Sequence, residues 1–101
     1  GGEPFEKENR MVVQYILKTI KEHFPNKTVW CYSGFTFEEL VGECEDILKY
    51  IDVLVDGAFV ADKKNLKLKF RGSENQRIIN VKKSLEDKTV TELTEGEYDE
   101  Y

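Results

Sequence analysis

The chain has 101 residues, of which 40% are apolar, and a formal net charge of −5. This length and composition predict a single soluble globular domain with a modest core. The 15 basic residues are scattered among 20 acidic ones, which argues against a nucleic-acid partner. No apolar run is long enough to span a membrane and no signal peptide is recognisable, so we expect a cytoplasmic protein without membrane attachment.

The first predicted element is an amphipathic helix over residues 10–24. Apolar residues recur there at helical spacing, and Asn9 is the predicted N-cap. Pro25 ends the helix, because the residue before a proline is disfavoured in helical conformation. His23 lies in the last turn, where an interaction with the helix dipole is favoured over a role as a base or metal ligand.

A strand over residues 28–32 and further helical structure are predicted next. The strand residues are mainly β-branched and aromatic, and Ser33 and Gly34 end the strand. Thr36 and Glu39 have the spacing of a capping box at the start of a helix. A later glycine, Gly42, is expected to divide that helix into two short ones.

Residues 52–57 form a largely apolar run closed by Asp56 and Gly57. This pattern is typical of a parallel strand that is covered on both faces. A hairpin over residues 53–60 is the competing interpretation, because Asp-Gly is a common hairpin turn. The alternation of helix and strand upstream favours the parallel sheet.

The remaining elements are less regular. Residues 66–70 alternate strictly, which predicts either a half-buried strand or an extended segment. A polar loop over residues 71–76 leads into a last strand over residues 77–81. The acidic stretch at 86–101 is expected to form a flexible tail.

Few side chains fit a general catalytic template. No serine or cysteine has a histidine partner nearby in sequence, so nucleophilic catalysis has no support. Cys31 and Cys44 are too few for a disulfide framework and match neither zinc nor iron–sulfur spacing. We therefore expect buried thiols, no catalytic residue and no metal ligand within this sequence.

Polar turns adjoin the ends of the predicted strands. They lie at residues 32–34, 56–57 and 71–76. Ligands in parallel α/β sheets bind beyond the carboxyl ends of the strands, so the first two turns should share one edge. The Gly-Gly-Glu-Pro stretch at residues 1–4 would join them if a strand preceded it. Taken singly, each stretch is a simple turn in about two of three cases.

Four segments together resemble the second half of a known family. They are GGEPF at 1–5, VWCYSGFTFEEL at 29–40, IDVLVDGAFV at 51–60 and LKFRGSENQRIINVKKSL at 68–85. Over residues 1–85 the chain resembles the anaerobic ribonucleoside-triphosphate reductase activating proteins. These are radical S-adenosylmethionine enzymes, related to the pyruvate formate-lyase activases.

The resemblance implies both a fold and an activity. The implied fold is the C-terminal part of a partial (β/α) barrel of the radical S-adenosylmethionine type, with a mostly parallel sheet and flanking helices over residues 1–85. The implied activity is that of an oxidoreductase. It cleaves S-adenosylmethionine reductively at a [4Fe-4S] cluster and generates a glycyl radical on the anaerobic reductase. The reductase and an electron donor are the implied partners.

The resemblance also implies binding residues. The family's Gly-Gly-Glu stretch holds the amino group of the methionine moiety, which assigns cofactor binding to Gly1, Gly2 and Glu3, with Pro4 shaping the exit. Ser33 and Asp56 match positions near the cofactor. A further family signature, which either lines the site or docks the partner, matches Arg71, Gly72, Ser73, Asn75 and Gln76.

One part of the family pattern is missing. The cluster-binding CxxxCxxC motif lies upstream of Gly-Gly-Glu-Pro in the family, and Cys31 and Cys44 cannot replace it. We therefore expect a C-terminal fragment that binds no cluster and is inactive alone. Its unpaired strand edge predicts self-association. The alternative function is a non-catalytic, small α/β protein-interaction module.

Overall fold

A small sheet with helices beside it makes up the fold of the computed structural model, which describes residues 2–98 and 100–101. Within these residues the elements are α1 (Lys7–His23), β1 (Trp30–Tyr32), α2 (Phe37–Leu40), α3 (Glu45–Leu48), β2 (Val53–Asp56), β3 (Arg77–Asn80), α4 (Val81–Asp87) and α5 (Glu95–Tyr98). A 3-10 helix at Ala61–Lys63 lies between β2 and β3. The protein is thus mixed α/β, and none of its described helices has the length and apolar character of a membrane span.

The three strands form an open sheet in the order β1, β2, β3. β1 is parallel to β2, with Trp30 opposite Val53, as the predicted β/α alternation requires. β3 is antiparallel to β2, with Arg77 opposite Asp56. The prediction of a mostly parallel sheet is therefore wrong for the second pair. Residues 57–76 turn back at the carboxyl end of β2 without a crossover helix, so β3 runs in the opposite direction.

Each face of the sheet has its own apolar cover. On the first face, β2 and β3 pack into the main core with the helices. That core consists of Phe5, Leu17, Phe37, Leu40, Cys44, Ile47, Leu48, Ile51, Leu54, Ile79 and Val81. On the second face, Leu93 and Tyr98 cover Val53, Val55 and Ile78. All four residues of β2 are buried, as its apolar run predicted.

The start of α1 differs from the prediction. The helix begins at Lys7, and Glu6 rather than Asn9 occupies the N-cap position. The side-chain amide of Asn9 donates instead to the backbone carbonyl of Glu3, at 2.9 Å. The helix ends just before Pro25, as predicted. The position of its first turn is therefore fixed by the segment that precedes it.

Several local predictions are confirmed, and the competing hairpin is excluded. The capping box of Thr36 and Glu39 is present, and α2 and α3 are separate short helices on either side of Gly42. The hairpin over residues 53–60 is not formed, because β2 pairs with β1 and β3. Residues 66–70 contain no strand and form turns and bends, with Phe70 at a φ of +68°, so neither predicted conformation describes them.

The end of the chain packs on the second face of the sheet. The backbone amide of Leu93 donates to the carbonyl of Ile78 at 2.8 Å, and Tyr98 is buried. The acidic composition predicted a flexible tail, whereas the described residues after Asp87 include apolar side chains that cover the sheet. Removing that apolar surface from water favours the packed arrangement. The domain boundary at residue 85 stays a prediction.

Candidate functional site

The carboxyl ends of β1 and β2 meet the start of β3 at one edge of the sheet. We call this edge the rim and define it by Glu3, Ser33, Gly34, Asp56 and Arg77. It forms because β3 is antiparallel to β2 and therefore starts where β2 ends. The fold thus brings together residues from four distant parts of the sequence.

Glu3 links the N-terminal segment to the end of β1. Its Oε1 accepts a hydrogen bond from the backbone amide of Gly34 at 2.7 Å. Its Oε2 accepts from the hydroxyl of Ser33 at 2.9 Å and from the amide of Phe5 at 3.0 Å. No described residue forms an ion pair with this carboxylate. Glu3 is therefore a negative charge held in place by three neutral donors.

The other predicted cofactor-binding residues of this region occupy different environments. Gly1 lies outside the described residues, and Gly2 is exposed, with no atom within 4 Å of the position a Cβ would take. Pro4 lies in the turn that leads into α1. Ser33 is buried, and its hydroxyl oxygen also accepts from the amide of Phe35 at 3.0 Å. Ser33 therefore serves chiefly to hold the Glu3 carboxylate.

Asp56 is engaged within the protein. Its side chain is 1% exposed, and its oxygens accept from the Nε and Nη2 atoms of Arg77 at 3.0 and 2.6 Å. The backbone amide of Phe37, at the start of α2, donates to Oδ2 at 2.7 Å. These bonds join β2, β3 and α2, and they pair the buried charge of Asp56 with Arg77. The predicted place of Asp56 near a cofactor stays a prediction.

Arg77 is the functional residue that sequence analysis missed. Hydrogen bonds to Asp56, and then to Glu38, raise the pKa of its guanidinium above the usual value. The same contact with Arg77 lowers the pKa of Glu38. The available signal was a single arginine at the start of an apolar strand, which indicates a buried or half-buried charge that needs a partner.

The side chain of Gln76 fastens the loop over residues 71–76 to the end of β2. Its Oε1 accepts from the amides of Gly72 and Ser73 at 2.9 and 3.1 Å. Its Nε2 donates to the carbonyl of Gly57 at 3.0 Å. Gly57 has a φ of +96°, a conformation that glycine adopts at little cost. Gln76 thus fixes the turn that leaves β2.

The other residues of the predicted signature also bond mainly to backbone. Arg71 donates to the carbonyls of Glu74 and Gln76, and Asn75 donates to that of Ala58 at 2.8 Å. Ser73 is fully buried and its hydroxyl accepts from the amide of Val60. These contacts hold the loop at the rim. None of them tests whether the loop also contacts a cofactor or a partner.

The described residues do not fit an iron–sulfur cluster. Such a cluster is usually held by four cysteine thiolates, whereas this sequence has two cysteines. Within residues 2–98 and 100–101 no group of three potential metal ligands occurs. Burial, and then the charge of Glu3, raise the pKa of Cys31 to about 11, and burial raises the pKa of Cys44. Both thiols are therefore protonated at neutral pH.

Cys31 gives a pH-dependent test of this environment. Its pKa rises from 9.0 to about 11 on folding, so the folded chain holds the proton more tightly than the unfolded chain. The stabilising contribution is complete below pH 9.0 and is lost as the pH rises towards 11. We expect the free energy of unfolding, measured with urea, to fall more steeply over this interval in the wild type than in Cys31→Val.

The negative charge of Glu3 should affect the reactivity of the Cys31 thiol. In Glu3→Gln the alkylation of Cys31 by iodoacetamide should begin at lower pH than in the wild type, because a negative neighbour is removed. Mass spectrometry of the peptides separates this reaction from that of Cys44. Glu6→Gln, at an exposed position, is the control. Identical profiles for wild type and Glu3→Gln would show that the carboxylate does not act on the thiol.

Comparisons with known proteins agree on one family. A family model described as a 4Fe-4S single cluster domain matches residues 1–79. A Vibrio cholerae protein is 38% identical over 78 residues, covering 77% of this chain and 50% of the relative. A Pasteurella multocida protein is 41% identical over 80 residues (77% and 51%), and an Enterobacteria phage T4 protein is 38% identical over 80 residues (77% and 48%).

All three relatives are named anaerobic ribonucleoside-triphosphate reductase-activating protein. The chain spans about half the length of these curated relatives. No solved structure matches the chain. The matched region includes the whole rim.

Proposed function

The chain belongs to the family of 4Fe-4S single cluster domains, and we propose that it is part of an activating protein for an anaerobic ribonucleoside-triphosphate reductase. The names of its relatives support this role. For the complete protein we propose reductive cleavage of S-adenosylmethionine at a [4Fe-4S] cluster, which generates a glycyl radical on the reductase. An electron donor is the second partner. In this proposal β1 and β2 are neighbouring strands of a partial (β/α) barrel.

We assign no cluster ligand to this chain. Cys31 and Cys44 are protonated at neutral pH, and no set of three potential ligands occurs within the described residues. Cluster ligation therefore falls to residues outside these 101. The contribution that we propose for this chain is to bind the methionine end of S-adenosylmethionine at the rim.

The observation that carries this proposal is the unpaired charge of Glu3. A carboxylate offers about four acceptor positions, and three neutral donors occupy three of them. A partly buried carboxylate without a counter-ion favours a cationic ligand. The α-ammonium group of S-adenosylmethionine is such a cation, and it has three N–H donors. The exposed backbone at Gly2, which has no side chain, allows a close approach.

The remaining rim residues position this carboxylate and shape the edge. Ser33 orients Glu3 by donating to its Oε2. Asp56 and Arg77 join the strand ends to α2 and keep the base of the rim rigid. The loop over residues 71–76 closes the side next to β3. We therefore assign to Asp56 and to this loop a positioning role.

Reconstitution of the longer protein that carries this sequence tests the proposed function. After anaerobic loading with iron and sulfide, with dithionite as the electron donor and the reductase as the source of the hydrogen atom, the protein should convert S-adenosylmethionine to methionine and 5′-deoxyadenosine. Electron paramagnetic resonance should then detect a glycyl radical on the reductase. A reaction without S-adenosylmethionine is the control. A protein with a spectroscopically intact cluster that yields neither product would rule the function out.

An exposed apolar surface favours a second candidate function, that of a protein-interaction module. Met11, Val12, Tyr15 and Ile16 lie on one side of α1 and are exposed, Met11 by 83%. Among the described strands, β1 pairs only with β2, so its other edge is open. An exposed apolar helix face and an open strand edge are each suited to a protein contact.

The same surface predicts that the isolated chain self-associates. Light scattering coupled to size-exclusion chromatography should show dimers or larger species that increase with concentration. Met11→Lys/Tyr15→Glu, which changes two exposed positions without altering net charge, should shift the chain towards the monomer. Lys82→Glu/Glu86→Lys, at two exposed positions of α4, should not. A wild-type monomer at every concentration would contradict the prediction.

A further inference from the structure

The segment between β2 and β3 concentrates positive charge. We call residues 58–71 the basic lobe. It contains Lys63, Lys64, Lys67, Lys69 and Arg71 and a single carboxylate, that of Asp62. A third of the 15 basic residues therefore lie in one short segment of a chain whose net charge is −5. The basic residues, which look scattered when the whole sequence is counted, are locally clustered.

Three of these lysines are available to a partner. Lys63, Lys64 and Lys67 are exposed, and none forms an ion pair with any residue that the structure describes. Arg71, by contrast, is used within the loop, where it donates to two backbone carbonyls. Lys69 lies with its Nζ atom 5.2 Å from the centre of the Phe70 ring. The free cations thus cluster at residues 63–67.

Apolar side chains are exposed among these cations. Leu66 is 88% exposed, and Phe59 and Phe70 are also exposed. Exposing large apolar side chains to water is unfavourable in free energy, so three of them in one loop indicate a binding surface. Cations interspersed with exposed apolar groups suit a binding segment that has both carboxylates and apolar side chains.

The basic lobe is held in one conformation by the rest of the protein. The hydroxyl of Ser73 accepts from the amide of Val60 at 3.2 Å. The carbonyl of Lys63 accepts from the amide of Glu74 at 2.9 Å, and Asn65 donates to Gly72 at 3.3 Å. A surface that is ordered beforehand pays less conformational entropy when a partner binds.

One aromatic contact within the chain borders this surface. The ring of Tyr98 contacts that of Phe70 edge-on, with 5.7 Å between centroids. Tyr98 ends α5, whose first turn is acidic through Glu95 and Glu97. An acidic segment with an aromatic residue is therefore already seated at the border of the basic lobe.

We infer that the basic lobe is a docking surface for an acidic segment of a protein partner, one that also carries an exposed aromatic or aliphatic side chain. The lobe starts just after β2, and the side chain of Gln76 donates a hydrogen bond to the carbonyl of Gly57 between them. A partner bound here would contact the segment that follows the rim residue Asp56. The identity of that partner as the reductase rests on the proposed function. The net charge of −5 disfavours binding of a long nucleic acid to this surface.

Charge reversal at matched positions tests this inference. Lys63→Glu/Lys64→Glu/Lys67→Glu changes the lobe, and Lys18→Glu/Lys27→Glu/Lys82→Glu changes three exposed lysines elsewhere by the same total charge. Biolayer interferometry measures binding of the full chain to immobilised anaerobic ribonucleoside-triphosphate reductase at low and high salt. We expect the lobe variant to lose about tenfold or more in affinity and the control variant less than about threefold. The arginine variant of all three lobe positions should bind like the wild type.

A second probe separates this inference from the proposed function. It is a synthetic peptide of residues 91–98 and, as its control, the same peptide with each glutamate replaced by glutamine. Fluorescence anisotropy measures binding of the peptide. If the acidic peptide binds the wild type but not the lobe variant, and the reductase does not bind the wild type, the docking surface is supported and the proposed function is overturned. If the reductase binds the wild type and the lobe variant equally well, the inferred docking surface is wrong and the proposed function is unaffected. Lobe-dependent binding of duplex DNA or anionic lipid vesicles, without binding of reductase or peptide, also overturns the inference.

Discussion

Arg77→Met should destabilise the chain by about 2 to 4 kcal/mol, a large part of the stability of a domain of this size. The substitution removes the only cation paired with Asp56 among the described residues, and the Asp56 side chain is 1% exposed. The carboxylate is then left buried with the amide of Phe37 as its remaining donor. The guanidinium is itself partly exposed, so solvent screening keeps the expected loss below that for a fully buried pair.

Urea denaturation measures this loss, and a second variant tests its cause. Asp56→Asn/Arg77→Met removes both charges but leaves a side-chain oxygen for the amide of Phe37, so it should be more stable than Arg77→Met. Lys83→Met is the control, because Lys83 pairs with Asp87 at the surface and should contribute less than about 1 kcal/mol. Equal losses in Arg77→Met and Lys83→Met would show that the Asp56 pair is not buried as described.

Glu3→Gln should weaken the binding of S-adenosylmethionine by about 10- to 100-fold, as expected for the loss of a charge-assisted hydrogen bond. The amide keeps the size of the side chain and removes its negative charge. Isothermal titration calorimetry on the reconstituted longer protein measures the affinity. Glu6→Gln removes an equal charge from an exposed position at the start of α1 and should leave binding unchanged.

Ser33→Ala separates the charge of Glu3 from its positioning. It removes one of the three donors to Glu3 and leaves the charge in place, so its effect on binding should be smaller than that of Glu3→Gln. Urea denaturation of both variants shows whether either effect is a loss of folding. A binding constant that Glu3→Gln does not change would contradict the assignment of the ammonium site.

The resemblance to the activating proteins, carried by four short segments, is confirmed by the family model and by the named relatives. Its detailed claims about S-adenosylmethionine and the glycyl radical stay proposals. The sequence alone shows that its two cysteines are fewer than the three of the CxxxCxxC motif. The number of cysteines can be read from the sequence without a structure.

Sequence patterns did not reveal the contacts of the rim. Glu3 bonds to Ser33, 30 residues away, and Asp56 pairs with Arg77, 21 residues away. Neither spacing has a local signature, since a charged side chain finds its partner through the path of the whole chain. The place of Asp56 near a cofactor stays a prediction, and its pairing with Arg77 was not predicted.

The sequence by itself determined the local elements: the long helix that stops before Pro25, the capping box at Thr36 and the fully buried strand β2. These follow from the identities of neighbouring residues, which set backbone preference and the periodicity of burial. The tertiary structure alone decided the direction of β3, the burial of Leu93 and Tyr98 and the partners of Glu3 and Asp56. A continuous apolar run shows that a strand is buried on both faces, but the direction of the next strand depends on how the connection returns. Here the connection between β2 and β3 turns back at the rim, and that turn places Arg77 opposite Asp56.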